Sequence, residues 1–340
     1  MTKKLNIAVV GATGAVGEAI IDLLQEREFP VAELYPLASE RSAGQTVLFR
    51  NRQVEVQDLA FFNFADADIA FFSAGSKVSE TFAPIAAAAG CLVIDNTSFF
   101  RYDDDIPLVV PEVNPQRIAD YKNRMIIANP NCSTIQMVVA LKPLYDAVGI
   151  SRINVATYQA VSGTGRRGIT ELVDQVTDLL NGRPVETNVY PQQIAFNVLP
   201  QIDEFQDNGY TREEMKMVWE TRKILEDEDI QVNPTGVRVP VLYGHSEAIH
   251  MELKAPLTEK KARALLSKAP GVRVMDDPSK GIYPTPIPHG AGHDYVYVGR
   301  IRQDISHPLG LNLWVVADNI RKGAATNAIQ IAEIYLRDYN

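Results

Sequence analysis

The glycine turn Gly11-Ala12-Thr13-Gly14-Ala15-Val16-Gly17 constrains this chain more than any other segment, because of what flanks it. Before it runs Leu5–Val10, a short continuously apolar stretch that reads as a buried parallel strand. After it, residues 15–25 carry apolar side chains at helical spacing. A strand, a G-x-x-G-x-x-G turn and a helix in that order form the setting of a dinucleotide-binding turn. Gly11 permits the tight turn and Gly14 lets the backbone approach a pyrophosphate. Gly17 allows close helix–strand packing, while Thr13, Ala15 and Val16 lie at the helix N-terminus that receives the negative charge. A purely structural glycine turn is the alternative.

The pattern continues along the first 131 residues. Further strands are predicted at 34–38, 68–72, 92–94 and 125–128, with a helix at 79–89. Alternation of this kind indicates a doubly wound, mostly parallel sheet. After residue 150 longer strands are predicted at 154–161, 236–242, 247–253, 295–301 and 311–317, with helices at 168–180, 211–225 and 258–266. That is the profile of an α+β domain with a large, mixed or antiparallel sheet. The last segment, 319–338, reads as one helix that packs back on the first domain. The expected architecture is therefore α/β, a Rossmann-type nucleotide domain (1–131 plus 319–340) and a catalytic α+β domain (132–318). No internal repeat interrupts it.

At 340 residues, 46% apolar and 22% charged, the chain has the composition of a soluble globular protein. A net charge of −9 repels nucleic acid and anionic membrane, so neither is an expected partner. The start Met1-Thr2-Lys3-Lys4 with its apolar sequel superficially resembles a signal peptide. Glycines interrupt it and Glu18 and Asp22 close it, so a cytoplasmic setting is the expectation. Two cysteines, Cys91 and Cys132, make no disulfide framework.

The end of the second strand bears on the cofactor. A carboxylate there holds the ribose hydroxyl of NAD, whereas an arginine accommodates the 2′-phosphate of NADP. The segment Ser39-Glu40-Arg41-Ser42 suits a phosphate if Glu40 turns outward. NADP is the expected cofactor, and an exposed polar loop is the alternative.

Cys132 sits in Asn129-Pro130-Asn131-Cys132-Ser133-Thr134, just before an apolar run that reads as a helix. A thiol at a helix N-terminus meets unpaired N–H groups and the positive end of the macrodipole, both of which favour the thiolate. Those N–H groups can also hold a developing oxyanion. Many free cysteines are small buried hydrophobes instead. The nucleotide-binding turn favours a nucleophile. Of the five histidines, His289 and His293 are four apart, but Pro288 and the glycines between them argue against a helix aligning them on a metal, and no zinc-site spacing occurs. No metal is expected.

Further motifs, in order, are Arg41-Ser42-Ala43-Gly44, Phe72-Ser73-Ala74-Gly75, Asp95-Asn96-Thr97-Ser98, Gln159-Ala160-Val161-Ser162-Gly163, Arg238-Val239-Pro240-Val241, Gly244-His245-Ser246 and Val298-Gly299-Arg300-Ile301-Arg302. With the glycine turn and the cysteine segment they make the chain, over nearly its whole length, similar to the aspartate-β-semialdehyde dehydrogenase family. The resemblance implies NADPH-dependent, reversible reduction of β-aspartyl phosphate to aspartate semialdehyde through a cysteine acyl-thioester. That step serves the biosynthesis of lysine, threonine, methionine and diaminopimelate. It also implies a homodimer, possibly a dimer of dimers. Carried over position by position, Cys132 resembles the nucleophile, Gln159 the active-site glutamine and His245 the acid/base histidine, able to take the Cys132 proton. Arg238 resembles the arginine that grips the α-carboxylate, Arg101 a phosphate-binding arginine, and Glu213 and Lys216 the pair for substrate amine and phosphate. Glu220 and Lys223 repeat the E-x-x-K spacing one heptad later, so the register is open. Ser73, Ala74, Gly75, Ser162, Gly163 and Asn319 resemble cofactor contacts. Two rivals stand beside this reading. N-acetyl-γ-glutamyl-phosphate reductase chemistry would not need Glu213 for a free ammonium, and a non-catalytic nucleotide-binding relative would not need Cys132, Gln159, Arg238 and His245 together.

Overall fold

In the computed structural model, which describes residues 4–339, Ile7, Ala8, Val9 and Val10 are fully buried in strand β1 (Leu5–Val10). Residues 1–3, where the signal-like start was read, lie outside the described residues. The chain divides into two compact units, Met1–Asn131 with Ala324–Asn340, and Cys132–Gly323.

In the first unit, β1 leads through the glycine turn into α1 (Ala15–Glu26), followed by β2 (Val31–Ala38). A hairpin absent from the sequence reading, β3 (Thr46–Phe49) and β4 (Arg52–Glu55), precedes the two-residue β5 (Gln57–Asp58). Then come β6 (Ile69–Phe72), α2 (Ser76–Ala88), β7 (Leu92–Asp95) and β8 (Ile126–Ala128). Six parallel strands form one sheet in the order β5-β2-β1-β6-β7-β8. The order reverses between β1 and β6, and open parallel sheets bind ligands at the carboxyl ends of strands at such a switch. Ile20 and Leu24 of α1 pack with Ile7, Val9, Phe71 and Ile94 of the sheet and with Ile329 and Ala332 of a C-terminal helix, Thr326–Asp338.

That helix corrects one expectation. The sequence reading began one helix at Asn319; a π-helical turn, Arg321–Ala325, comes first and the α-helix proper runs Thr326–Asp338. Asp318 accepts hydrogen bonds from the backbone N–H of Ile320 at 2.8 Å and of Arg321 at 2.9 Å. A side chain that accepts from the amides two and three residues on caps the start of a helical turn. By contact, residues 319–323 belong to the second compact unit and the first resumes at Ala324.

The second unit opens with α3 (Cys132–Val148) and β9 (Ile150–Gln159), then α4 (Arg166–Leu180), α5 (Arg212–Leu225), β10 (Gln231–Arg238), β11 (His245–Leu253), α6 (Glu259–Leu266), β12 (Val272–Val274), β13 (Val296–Gln303) and β14 (Gly310–Ala317). Its six-stranded sheet has the order β10-β9-β11-β14-β13-β12. The two outer pairs are parallel and the inner pairs antiparallel, so the sheet is mixed. β10 ends at Arg238, four residues before the expected end, because Pro240 has no N–H to give a ladder. The parallel pairing of β9 with β10 brings Gln159 opposite Arg238, and antiparallel β11 starts at the same end with His245. One face of the sheet buries Thr157, Gln159, His245, Glu247, Ile249 and Met251, with α3, α5 and α6 packed on this unit's sheet. No helix among the described residues is long and apolar enough to cross a membrane.

Candidate active site

In the first unit, Gly11 adopts φ +89°, and a Cβ there would meet the Ser73 and Ala74 backbone at 3.0 Å. A Cβ on Gly17 would lie 2.2 Å from the Gly11 carbonyl oxygen. Both positions therefore exclude a side chain, the first for conformation and approach, the second for helix–strand packing. The result is a cavity of about 670 Å³ at the ends of β1, β2 and β6, lined by Gly11, Thr13, Gly14, Ser39, Arg41, Ser42, Ser73 and Ala74 among others. Glu40 lines it too. Ala15, Val16 and Gly17 form the first turn of α1, and Gly75, at φ +98°, precedes α2; these four are not lining residues. Arg101 belongs to the same unit, is buried, and donates from Nη2 to the Asn96 carbonyl at 2.8 Å. The neighbouring Asp95 accepts from Ser79 and from the Thr97 hydroxyl, which gives that motif a structural duty.

The second unit gathers a different set. Cys132 is the first residue of α3 and is half-buried, whereas Cys91 is fully buried with its thiol pushed up to about 12 by burial. Gln159, at the end of β9, donates from Nε2 to the Ser133 hydroxyl at 2.6 Å and to Glu213 Oε1 at 3.3 Å. Lys216 Nζ donates to Glu213 Oε2 at 3.0 Å and to Asp203 at 2.9 Å. Burial opposes its charge, but Glu213 and Asp203 outweigh that and hold the Lys216 pKa above its ordinary value. A capping box places this pair: the Thr211 hydroxyl accepts from the Glu214 N–H, and the Glu214 carboxylate accepts from the Thr211 N–H and, at 2.8 Å, from Gly236 of β10. The earlier E-x-x-K register is thus the one in contact with Gln159.

Ala160, next along the chain, serves two groups. Its carbonyl accepts from Arg238 Nη1 at 2.7 Å, and its N–H donates to His245 Nδ1 at 3.0 Å. The His245 ring is fully buried, and burial, then the Arg238 charge, push its pKa down to about 3. With Nδ1 accepting, the neutral ring carries its proton on Nε2. In this state it presents a donor.

Ser162, Gly163 and Asn319 also lie in this unit. The Ser162 hydroxyl and the Gly244 N–H both bond Asn319 Oδ1, at 3.1 and 3.0 Å. A Cβ on Gly163 would come within 2.9 Å of Arg238 Nη1 and 3.4 Å of the His245 ring. Sequence reasoning missed Gly323, where a Cβ would meet that of Cys132 at 2.7 Å. It also missed Ala160, whose backbone alone acts, and Asp203, which holds Lys216 from an unusual φ of +70°. Among the described residues no group of three or more His, Cys, Asp or Glu side chains could hold a metal ion.

Comparisons with known proteins bear on both units. Residues 6–121 match a model described as semialdehyde dehydrogenase, NAD binding domain, and residues 141–322 one described as semialdehyde dehydrogenase, dimerisation domain. An aspartate-semialdehyde dehydrogenase of Legionella pneumophila is 70% identical over 339 residues, covering 100% of this chain and 98% of that protein. The chain belongs to the aspartate-semialdehyde dehydrogenase family. Membership makes it an oxidoreductase with a nicotinamide-nucleotide domain and a dimerisation domain. Among solved structures of the family, aspartate semialdehyde dehydrogenase II complexed with ASA from Vibrio cholerae superposes with a TM-score of 0.98 at 60% identity, covering both chains completely. The enzyme with NADP from Candida albicans gives 0.76 at 27% identity, covering 98% of each.

Proposed function

We propose that this protein catalyses the reversible, NADPH-dependent conversion of β-aspartyl phosphate to aspartate semialdehyde and phosphate, with Cys132 as nucleophile. The observation that carries this reading is the polar run from Ser133, beside Cys132, through Gln159 and Glu213 to Lys216. It sets a carboxylate and a cation against the residue after a helix-terminal thiol, as an amino-acid acyl phosphate demands. Cys132 attacks the acyl carbon, the C–O bond to phosphate breaks, and an acyl thioester remains on the sulfur. Arg238 holds the α-carboxylate through its planar fork, Glu213 faces the ammonium, and Lys216 with Arg101 takes the phosphate. The Nε2–H of His245 donates to the oxygen of the tetrahedral thiohemiacetal, while Gln159 orients the acyl group. Collapse of that intermediate breaks the C–S bond and returns the thiolate.

The residues of the first unit fit a dinucleotide. The cradle at Gly11 and Gly14 suits a pyrophosphate, and Arg41 with Ser39 and Ser42 suits a ribose 2′-phosphate, which makes NADP the preferred form. When bound, the nicotinamide supplies the hydride that reduces the acyl group. Ser162, Gly163 and Asn319 are assigned to its nicotinamide end. A homodimer is the working assembly, with a second copy covering the sheet face that carries Tyr158, His250 and Trp314, and a dimer of dimers is the larger form proposed.

NADP reduction by purified protein with aspartate semialdehyde and phosphate tests the reading. Turnover is expected with wild type and none with Cys132→Ala, which should still bind NADP. Preference for the N-acetylglutamate semialdehyde would favour the reductase of the longer acylated substrate, and substantial activity in Cys132→Ala would refute covalent catalysis.

A further inference from the structure

Beneath the residues just assigned lies a second tier that the reaction does not use. Glu247 is two residues along β11 from His245 on the same buried face, and its register partner on β9 is Thr157, two residues before Gln159. Gln136 is one helical turn along α3 from Cys132. A helical turn advances about 5.4 Å and two strand residues about 6.7 Å, so each group lies a similar step along its own element from the residue assigned to the reaction. Glu247 is fully buried, and across β14 its register partner is the apolar Val315. The polar group that faces its carboxyl is the Gln136 amide, itself 1% exposed. Beyond that approach, neither oxygen of Glu247, neither polar atom of Gln136 nor the Thr157 hydroxyl has a hydrogen-bond partner among the described residues. Among the described residues no cation acts on the carboxyl, and a lone ionised carboxylate in such surroundings is far costlier than a neutral acid. Burial accordingly raises the Glu247 pKa well above the usual carboxylate range, and the Gln136 amide offsets only part of that.

We infer that Glu247 is a positioning residue, a neutral carboxylic acid that pairs with the Gln136 amide and so ties β11 with His245 to α3 with Cys132. The inference rests on the roles proposed above for those two residues. A tie of this kind controls the separation of nucleophile and donor, and an error of about 1 Å there costs on the order of a hundredfold in rate. It explains why a side chain so costly to bury stands directly under the site.

The test uses Glu247→Gln, Glu247→Leu and Gln136→Leu, each in a Cys91→Ala background so that Cys132 is the one thiol. Three readouts are taken: melting temperature, steady-state kinetics with semialdehyde, and the pH profile of Cys132 alkylation by iodoacetamide without substrate. Glutamine keeps a neutral hydrogen-bonding group, so Glu247→Gln should hold kcat within about threefold of the background and keep its alkylation profile. The two leucine variants should each lower kcat by about tenfold or more at nearly constant KM, displace the alkylation profile, and combine without further loss. If Glu247→Leu does not fold, Gln136→Leu and Glu247→Gln carry the comparison. Leucine variants with normal kcat and a normal alkylation profile, whatever their melting temperature, would overturn the inference. So would a well-folded Glu247→Gln as impaired as leucine, since the acid itself would then be required. Alkylation uses no substrate, so absence of turnover with aspartate semialdehyde would refute the proposed reaction while the profile still decides on the tie.

Discussion

His245 and Ala160 are joined by a 3.0 Å hydrogen bond in which the backbone N–H donates to Nδ1, and this bond sets the tautomer of the imidazole. Nε2 is left as the protonated nitrogen, so His245 works as a donor in the neutral state. Nitrogen-detected imidazole spectra should show one Nε2–H tautomer, unchanged between pH 8 and pH 5. Titration of this ring near its ordinary value of 6.5 would show that the ring takes up protons as a base.

The same shift makes a stability prediction. The folded pKa of about 3 lies below the ordinary 6.5, so on acidification the unfolded chain takes the proton first. The stability contributed by a neutral His245 is therefore complete above pH 6.5 and is lost as pH falls toward 3. His245→Gln keeps an acceptor for the Ala160 N–H and has nothing to titrate. Its melting temperature should fall less than that of wild type between pH 7 and pH 4.

Arg41 is expected to discriminate the cofactors. Loss of a charge-assisted hydrogen bond costs about 1.5–3 kcal/mol, about tenfold to a hundredfold in affinity. Arg41→Ala should weaken NADP by that factor and NAD far less. Because Glu40 lines the same cavity, Glu40→Gln is the companion measurement. Equal losses for both cofactors in Arg41→Ala would remove Arg41 from the phosphate site, and a wild-type preference for NAD would place Glu40 on the ribose.

Much of this was legible in the sequence, for physical reasons. The parallel-sheet strands are continuous apolar runs, and the glycine turn has few other uses in that setting. Helix α5 was read at 211–225 and runs Arg212–Leu225. The hairpin β3–β4 was not legible, because only Phe49 among its residues is buried, so periodicity had little to follow. The last helix opens on a π-helical turn, Arg321–Ala325, which apolar spacing does not distinguish from the α-helix that follows. Within the site, Ala160 and Gly323 act through backbone and close approach, which leave no chemical signature in a one-letter code. Glu247 looked like one more charge on a strand until its depth was known.

Gly323 makes the next prediction. A methyl group there would press on Cys132 at 2.7 Å, well inside contact distance. Overpacking of this sort costs typically about 1–3 kcal/mol and moves its neighbours. Gly323→Ala should therefore lower kcat by about tenfold or more and slow Cys132 alkylation. Its affinity for NADP should change little if the glycine turn of the first unit supplies most of the binding. An alanine variant with normal kcat would show that α3 can yield at no cost to the thiol.

Arg238 and Lys216 should separate the two anionic ends of the substrate. Arg238 already gives Nη1 to the Ala160 carbonyl, so only a planar fork can hold that oxygen and a carboxylate together. Arg238→Lys should be severely impaired with semialdehyde at every phosphate concentration. Lys216 is a point charge between Glu213 and Asp203, and an incoming phosphate competes with Asp203 for it. In the oxidative direction Lys216→Ala should raise KM for phosphate more than KM for semialdehyde. Asp203→Asn, which keeps the shape and removes the competing charge, should lower KM for phosphate by a few fold, about the effect of one partly buried ion pair. If Lys223→Ala produces the phosphate defect and Lys216→Ala is silent, the later E-x-x-K register carries the anion despite the contact of Glu213 with Gln159. If neither variant responds, Arg101 becomes the phosphate ligand, and Lys216 is a structural bridge between Asp203 and α5.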